Sequence, residues 1–129
     1  MVLTMREVYL NGEYMPLAQA KVPVMDRGFL FGDGVYEVIP VYGGRAFRLA
    51  EHLDRLDNSL AAIRMENPLP RNEWGSIFEH LASGAERPDQ LVYLQVTRGA
   101  DPTRNHLFPA SPRPTVFVMA WDAKPRHPD

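Results

Sequence analysis

Cysteine is absent from the 129 residues. That excludes disulfides and thiolate chemistry, and it is compatible with a reducing cytosol. No apolar run is long enough to span a bilayer. The first ten residues, MVLTMREVYL, lack the basic segment and small-residue cleavage site of a secretory signal. A soluble, cytoplasmic protein with no membrane partner is therefore expected. An excess of one charge is missing too: 14 Lys and Arg stand against 16 Asp and Glu, a net charge of -2, so nothing points to a nucleic-acid partner. Lysine itself is scarce, at positions 21 and 124 alone.

What is present suits one folded domain. Hydrophobic residues make up 45% and charged residues 23%, ordinary values for a single modest core. Twelve prolines are many for this length, and they concentrate in 102–114 and 125–128, marking a loop and a tail.

Glu7 to Leu10 and Glu13 to Leu17 flank Asn11-Gly12, a dipeptide that favours the positive φ angles of a type I′ hairpin turn. A connecting segment follows, with a short extended piece expected at Lys21–Val24. The stretch 26–34, DRGFLFGDG, reads as a tight acidic-glycine turn. Val35 to Tyr42 is a strand. Val35, Glu37, Ile39 and Val41 point one way and Tyr36, Val38, Pro40 and Tyr42 the other. Neither set is purely polar, so both faces are expected to be at least partly covered. Pro40 has no N–H to give and predicts an edge or a bulge.

From Leu49 the period changes. Leu49, Leu53, Leu56, Leu60 and Ile63 form the apolar stripe of an amphipathic helix. Beyond Pro68 and Pro70 a second helix places Trp74, Ile77, Phe78 and Leu81 on one face and stops at Gly84. Gln90–Thr97 and Thr115–Trp121 are strands, joined by the loop Arg98–Pro114. A loop that long in a compact domain is functional or disordered. Strands, two helices, then strands predict an α+β, two-layer domain: a mostly antiparallel sheet with two main helices on one face. The domain is expected to span 1–121, with 122–129 an interdomain linker or tail.

Several side chains carry two readings on chemistry alone. Phe31-Gly32-Asp33-Gly34 is a turn first, although its glycines could expose N–H groups to an anion. Arg55 lies off the leucine stripe; it pairs with Glu51 one turn back or grips a phosphate through paired donors. Tyr36 packs on its strand or lines a site beside the turn. Arg104 and His106 are solvated loop residues, or together hold a carboxylate. His52, His80 and His127 show no metal-ligand spacing, so no metal site is expected.

Taken together, DRGFLFGDGVYEV, YGGRAFRLAEHLDRL and VYLQVTRG with the following RNHLFP resemble the N-terminal domain of the fold-type IV (class IV) pyridoxal-phosphate aminotransferases. Within that family the D-amino acid branch is the most similar. The resemblance runs from about Tyr9 to Trp121. It implies transfer of an amino group between a D-amino acid such as D-alanine and a 2-oxo acid, with pyridoxal 5′-phosphate as cofactor. It implies that Arg55 binds the cofactor phosphate and that Tyr36 lies near the cofactor and helps bind the substrate carboxylate. Arg104 and His106 would form the carboxylate trap, on a loop that relatives receive from the neighbouring subunit of a homodimer. Relative to the pattern, one extra residue separates Gly99 from Arg104.

The sequence also departs from the family: neither Lys21 nor Lys124 matches the Schiff-base lysine, which lies in a second domain. The chain is expected to be the first domain of a transaminase, inactive alone. A branched-chain aminotransferase or aminodeoxychorismate lyase of the same fold is an alternative. A non-catalytic dimerising or ligand-binding module is another.

Overall fold

The computed structural model describes residues 6–84 and 87–123. Strands β1 (Glu7–Leu10) and β2 (Glu13–Pro16) form the expected hairpin. The turn residues Asn11 and Gly12 both hold positive φ, 51° and 95°, as its type I′ chemistry demands. The segment after β2 closes with a single 3-10 turn at Leu17–Gln19; the extended piece expected at Lys21–Val24 is not a strand.

The acidic-glycine stretch is more structured than a turn. It forms a one-turn helix, α1 (Arg27–Phe31), whose first amides are capped by Asp26; Gly32 ends it in the left-handed conformation at φ 65°. Five residues are too few for a helical period to show in the sequence, although both caps stand there in plain letters. Next come β3 (Gly34–Tyr42), a two-residue β4 (Arg45–Ala46), α2 (Leu49–Ala62), α3 (Arg71–Ser83), β5 (Gln90–Thr97) and β6 (Thr115–Asp122).

The six strands make one antiparallel sheet in the order β2-β1-β6-β5-β3-β4. The α+β, two-layer expectation holds, with α2 packed on β3 and α3 on β6, β1 and β5. Pro40 sits one strand in from the edge. Its carbonyl accepts from the Phe47 N–H at 2.7 Å, so the N–H it lacks would have faced the same side, beyond the end of β4. The proline leaves no ladder bond broken.

The core lies between this sheet and the helices. Leu53, Leu56 and Leu60 of α2 and Trp74, Ile77, Phe78 and Leu81 of α3 meet Ile39, Val41, Val92, Leu94 and Val118 from the strands. The Trp74 indole N–H is buried and finds Asn67 Oδ1 at 2.8 Å; Asn67 in turn donates to Asp57. Gly84 follows α3 as expected but at φ -79°, so it ends the helix without the left-handed cap.

One expectation fails on β3. Val35, Glu37, Ile39 and Val41 do turn inward, but the opposite face is open: Tyr36, Val38 and Tyr42 are exposed. Both main helices lie on the other side; among the described residues only the 17–31 segment reaches the sheet over this face, at Gln95, Thr97, Thr115 and Phe117, and it leaves these three residues of β3 uncovered. The tail from Lys124 onward lies outside the described residues, as do Lys124 and His127.

Candidate functional site

The chemistry-bearing residues gather around α1 and the ends of β5 and β6. Asp26 organises this corner. One carboxylate oxygen accepts from the Gly28 N–H at 2.8 Å and from Thr97 Oγ1 at 2.7 Å; the other accepts from Thr115 Oγ1 at 2.5 Å. A buried carboxylate needs several donors, and here they come from three separate elements.

Asp33, just past α1, is held between two guanidiniums. Arg27 Nε and Arg98 Nε each donate to Asp33 Oδ2 at 2.8 Å. Burial alone would raise the Asp33 carboxyl, but hydrogen bonds and charge from Arg98 and Arg27 outweigh it and hold the group below its ordinary value. Arg27 is only 3% exposed. The rest of its guanidinium donates to the backbone of the long loop: to the Asn105 carbonyl, to His106 O at 3.3 Å and to Leu107 O at 3.4 Å. Arg98 donates to Ile63 O at 2.6 Å and lies 3.6 Å above the Phe108 ring.

That loop carries Arg104 and His106, and both pack on Phe31. The Arg104 guanidinium lies 4.9 Å from the centre of the Phe31 ring, and the His106 ring packs on the same phenylalanine at 5.0 Å. Both side chains remain exposed.

Tyr36 and Arg55 stand apart from each other. Tyr36 is 63% exposed on the open sheet face, stacked on Tyr93 at 5.7 Å. Burial, and then the nearby Tyr36, pushes the Tyr93 hydroxyl above its ordinary value; that hydroxyl donates to Gln95 Oε1 at 3.0 Å. Gln95 pairs with Tyr36 across the strands and lines a cleft of about 350 Å³ between Phe29, Val22 and Phe117. The next residue, Glu37, points to the helix side.

There Glu37 is 6% exposed, with His52 Nδ1 3.0 Å from one oxygen and Arg55 Nη2 3.7 Å from the other. Arg55 thus pairs with Glu37 rather than with Glu51. A buried carboxylate draws in any cation within reach more strongly than an exposed one does. The Arg55 side chain is itself 70% exposed, and this single contact leaves its other donors facing outward.

Glu37, His52, Arg27, Arg98 and Asp26 belong to the site although sequence patterns did not single them out. Only Glu37 had a readable signal, a charge in phase with the core-facing Val35, Ile39 and Val41. Lys21 lies in the exposed connection before α1 and takes no part in these clusters. Among the described residues, no group of three or more His, Cys, Asp or Glu side chains is arranged to hold a metal ion. No described helix is long and apolar enough to cross a membrane.

Comparison with known proteins agrees with this architecture. The chain is 41% identical over 122 residues to the D-alanine aminotransferase of Listeria monocytogenes serotype 4b (strain F2365), an alignment covering 94% of this chain and 42% of the relative. It is 42% identical over 115 residues to that of Bacillus licheniformis, covering 89% and 40%. The chain therefore spans less than half the length of these curated relatives.

Among solved structures, a branched-chain amino acid aminotransferase from T.th. superposes with a TM-score of 0.82 at 26% identity, over 94% of this chain and 42% of that one. The Escherichia coli branched-chain enzyme gives 0.83 at 22% identity over 92% and 41%, a likeness of fold alone. The profile of the class IV amino-transferases matches residues 34–129. The corner built by α1, β3, α2 and the 98–114 loop is thus carried on a family scaffold, and the chain belongs to the class IV aminotransferases.

Proposed function

We propose that this chain forms the N-terminal domain of a pyridoxal-phosphate-dependent transaminase that moves an amino group between a D-amino acid such as D-alanine and a 2-oxo acid. The observation that carries the reading is the pairing of Arg104 and His106 on one aromatic ring at an exposed loop. A guanidinium and an imidazole held against one ring suit a carboxylate, which accepts charge-assisted hydrogen bonds from both. The 41% identity to a D-alanine aminotransferase supports the D-amino acid in preference to the branched-chain substrates of the more distant structural neighbours.

The residues present suit part of the cofactor. Arg55, outward-facing and braced at one edge by Glu37, fits a phosphate with its remaining donors. When bound, pyridoxal phosphate supplies the electron sink that amino-group transfer requires. The chain's own side chains bind and orient: Arg55 takes the phosphate, Tyr36 borders the substrate from the sheet face, and Arg104 with His106 fixes its carboxylate. The lysine that the chemistry needs is not supplied by a described residue. A homodimer, the open sheet face forming part of its interface, completes the proposal, since exposed aromatic and aliphatic side chains there suit a protein partner.

Two variants of the complete two-domain enzyme test these roles. Arg55→Ala should weaken pyridoxal phosphate binding about ten- to hundredfold, the loss of about 1.5–3 kcal/mol for hydrogen bonds to a charged group. Unchanged cofactor affinity would remove the phosphate assignment. Arg104→Ala should instead raise KM for D-alanine and leave cofactor affinity alone.

A further inference from the structure

We propose that Arg27 is the positioning residue for the carboxylate-binding loop, forcing its backbone into the form that sets Arg104 and His106 on Phe31. The inference rests on the carboxylate reading above and deepens it.

The reason lies in an unbalanced buried cluster. Arg27 and Arg98 share the single carboxylate of Asp33, two cations against one anion. Asp33 accepts only one N–H from each, and a guanidinium carries five. Donors that are buried without partners are costly, so Arg27 must find acceptors elsewhere. It finds them in three consecutive carbonyls, at Asn105, His106 and Leu107. Those carbonyls flank the side chain of His106 and follow Arg104 directly.

Among the described residues no other side chain from outside the loop hydrogen-bonds to its backbone around His106. Leu107 N–H donates to Asn105 Oδ1 at 3.0 Å, a bond internal to the loop. Arg27 also stacks on Phe31, 4.9 Å from the ring centre, and so fixes the surface on which Arg104 and His106 rest. Its own N–H donates to Gly99 O at 2.8 Å, tying it to the start of the same loop. One side chain therefore sets the platform and the backbone of the two groups that use it. Arg98, equally buried, makes a useful contrast: it shares Asp33 and touches the loop through the Phe108 ring, but it donates to Ile63 and to no carbonyl of 105–107.

The experiment compares Arg27→Lys, Arg27→Gln and Arg98→Lys in the complete two-domain transaminase loaded with pyridoxal phosphate, alongside Arg104→Ala. The ammonium of Arg27→Lys cannot reach Asp33 and three carbonyls together. Arg27→Gln leaves Arg98 and Asp33 as a balanced pair, so it folds even where the lysine variant does not. All three hub variants should melt at lower temperature. Only the Arg27 variants should speed hydrogen exchange at the Leu107 amide and raise KM for D-alanine about ten- to hundredfold, with kcat changed far less.

Equal exchange and equal KM in the Arg27 and Arg98 variants would overturn the inference, leaving Arg27 as a structural cation only. Arg104→Ala with unchanged KM, while Arg27→Gln still frees the Leu107 amide, would sink the carboxylate reading and keep the loop assignment.

Discussion

The two faces of the sheet are built from the same strands yet obey different rules. On the covered face Ile39, Val41, Val92, Leu94 and Val118 are sealed beneath Leu56, Trp74 and Phe78, and a charged intruder, Glu37, is matched by His52 and Arg55. On the other face Tyr36, Val38 and Tyr42 stand exposed beside the cleft. Residues of similar hydrophobicity alternate along β3, so composition does not distinguish the faces. What differs is whether one of the two long helices, α2 or α3, lies above. The covered face holds the fold together, and the open face is available for binding.

That division can be broken most severely from the covered side. Trp74→Ala removes a fully buried indole and one of the two donors to Asn67 Oδ1, and should cost about 3–5 kcal/mol in chemical denaturation.

A somewhat smaller loss is expected at the corner where the two faces meet. Asp33→Asn leaves Arg27 and Arg98 without their shared anion and should cost about 3 kcal/mol at neutral pH. The loss should depend on acidity. Because the folded state holds the Asp33 carboxyl below its unfolded value of about 3.9, its contribution is complete above that value. It fades as pH falls through the lower folded value. The stability gap between the parent and Asp33→Asn should therefore narrow in acid below about pH 4; a gap constant down to pH 2 would refute the ion cluster's role.

The smallest effect sharpens the contrast from the open side. Val38→Thr should change stability by less than about 0.5 kcal/mol, while reducing self-association measured by sedimentation. A large loss of stability there would mean that the face is not open.

Legibility in the sequence followed distance along the chain. The stripes of α2 and α3, the Asn11-Gly12 turn and the two long strands repeat over a few residues, and each could be read before the fold was seen. Tyr36, Arg104 and His106 could be picked out as chemistry-bearing, and the last two both pack on Phe31. The partners of Arg27 could not be foreseen, because 78 to 80 residues separate it from the carbonyls it binds. Asp26 and Thr115 are 89 residues apart. Arg55 shows the same limit on a smaller scale. Helical spacing offered Glu51 as its partner, and the buried Glu37 from a neighbouring strand took that place.

The sheet order has a consequence for how the chain assembles. β6, the last of these six in chain order, lies between β1 and β5, and so joins the N-terminal hairpin to the rest of the sheet. Leu10 pairs with Phe117 across more than a hundred residues of intervening chain. At about 5–20 residues per second, the hairpin of a growing chain waits several seconds or longer for the strand that will seat it. Closing so distant a contact is intrinsically slow. The carboxylate clamp inherits that delay, since the loop carrying it is stretched between β5 and β6 and gains its second anchor only when β6 arrives.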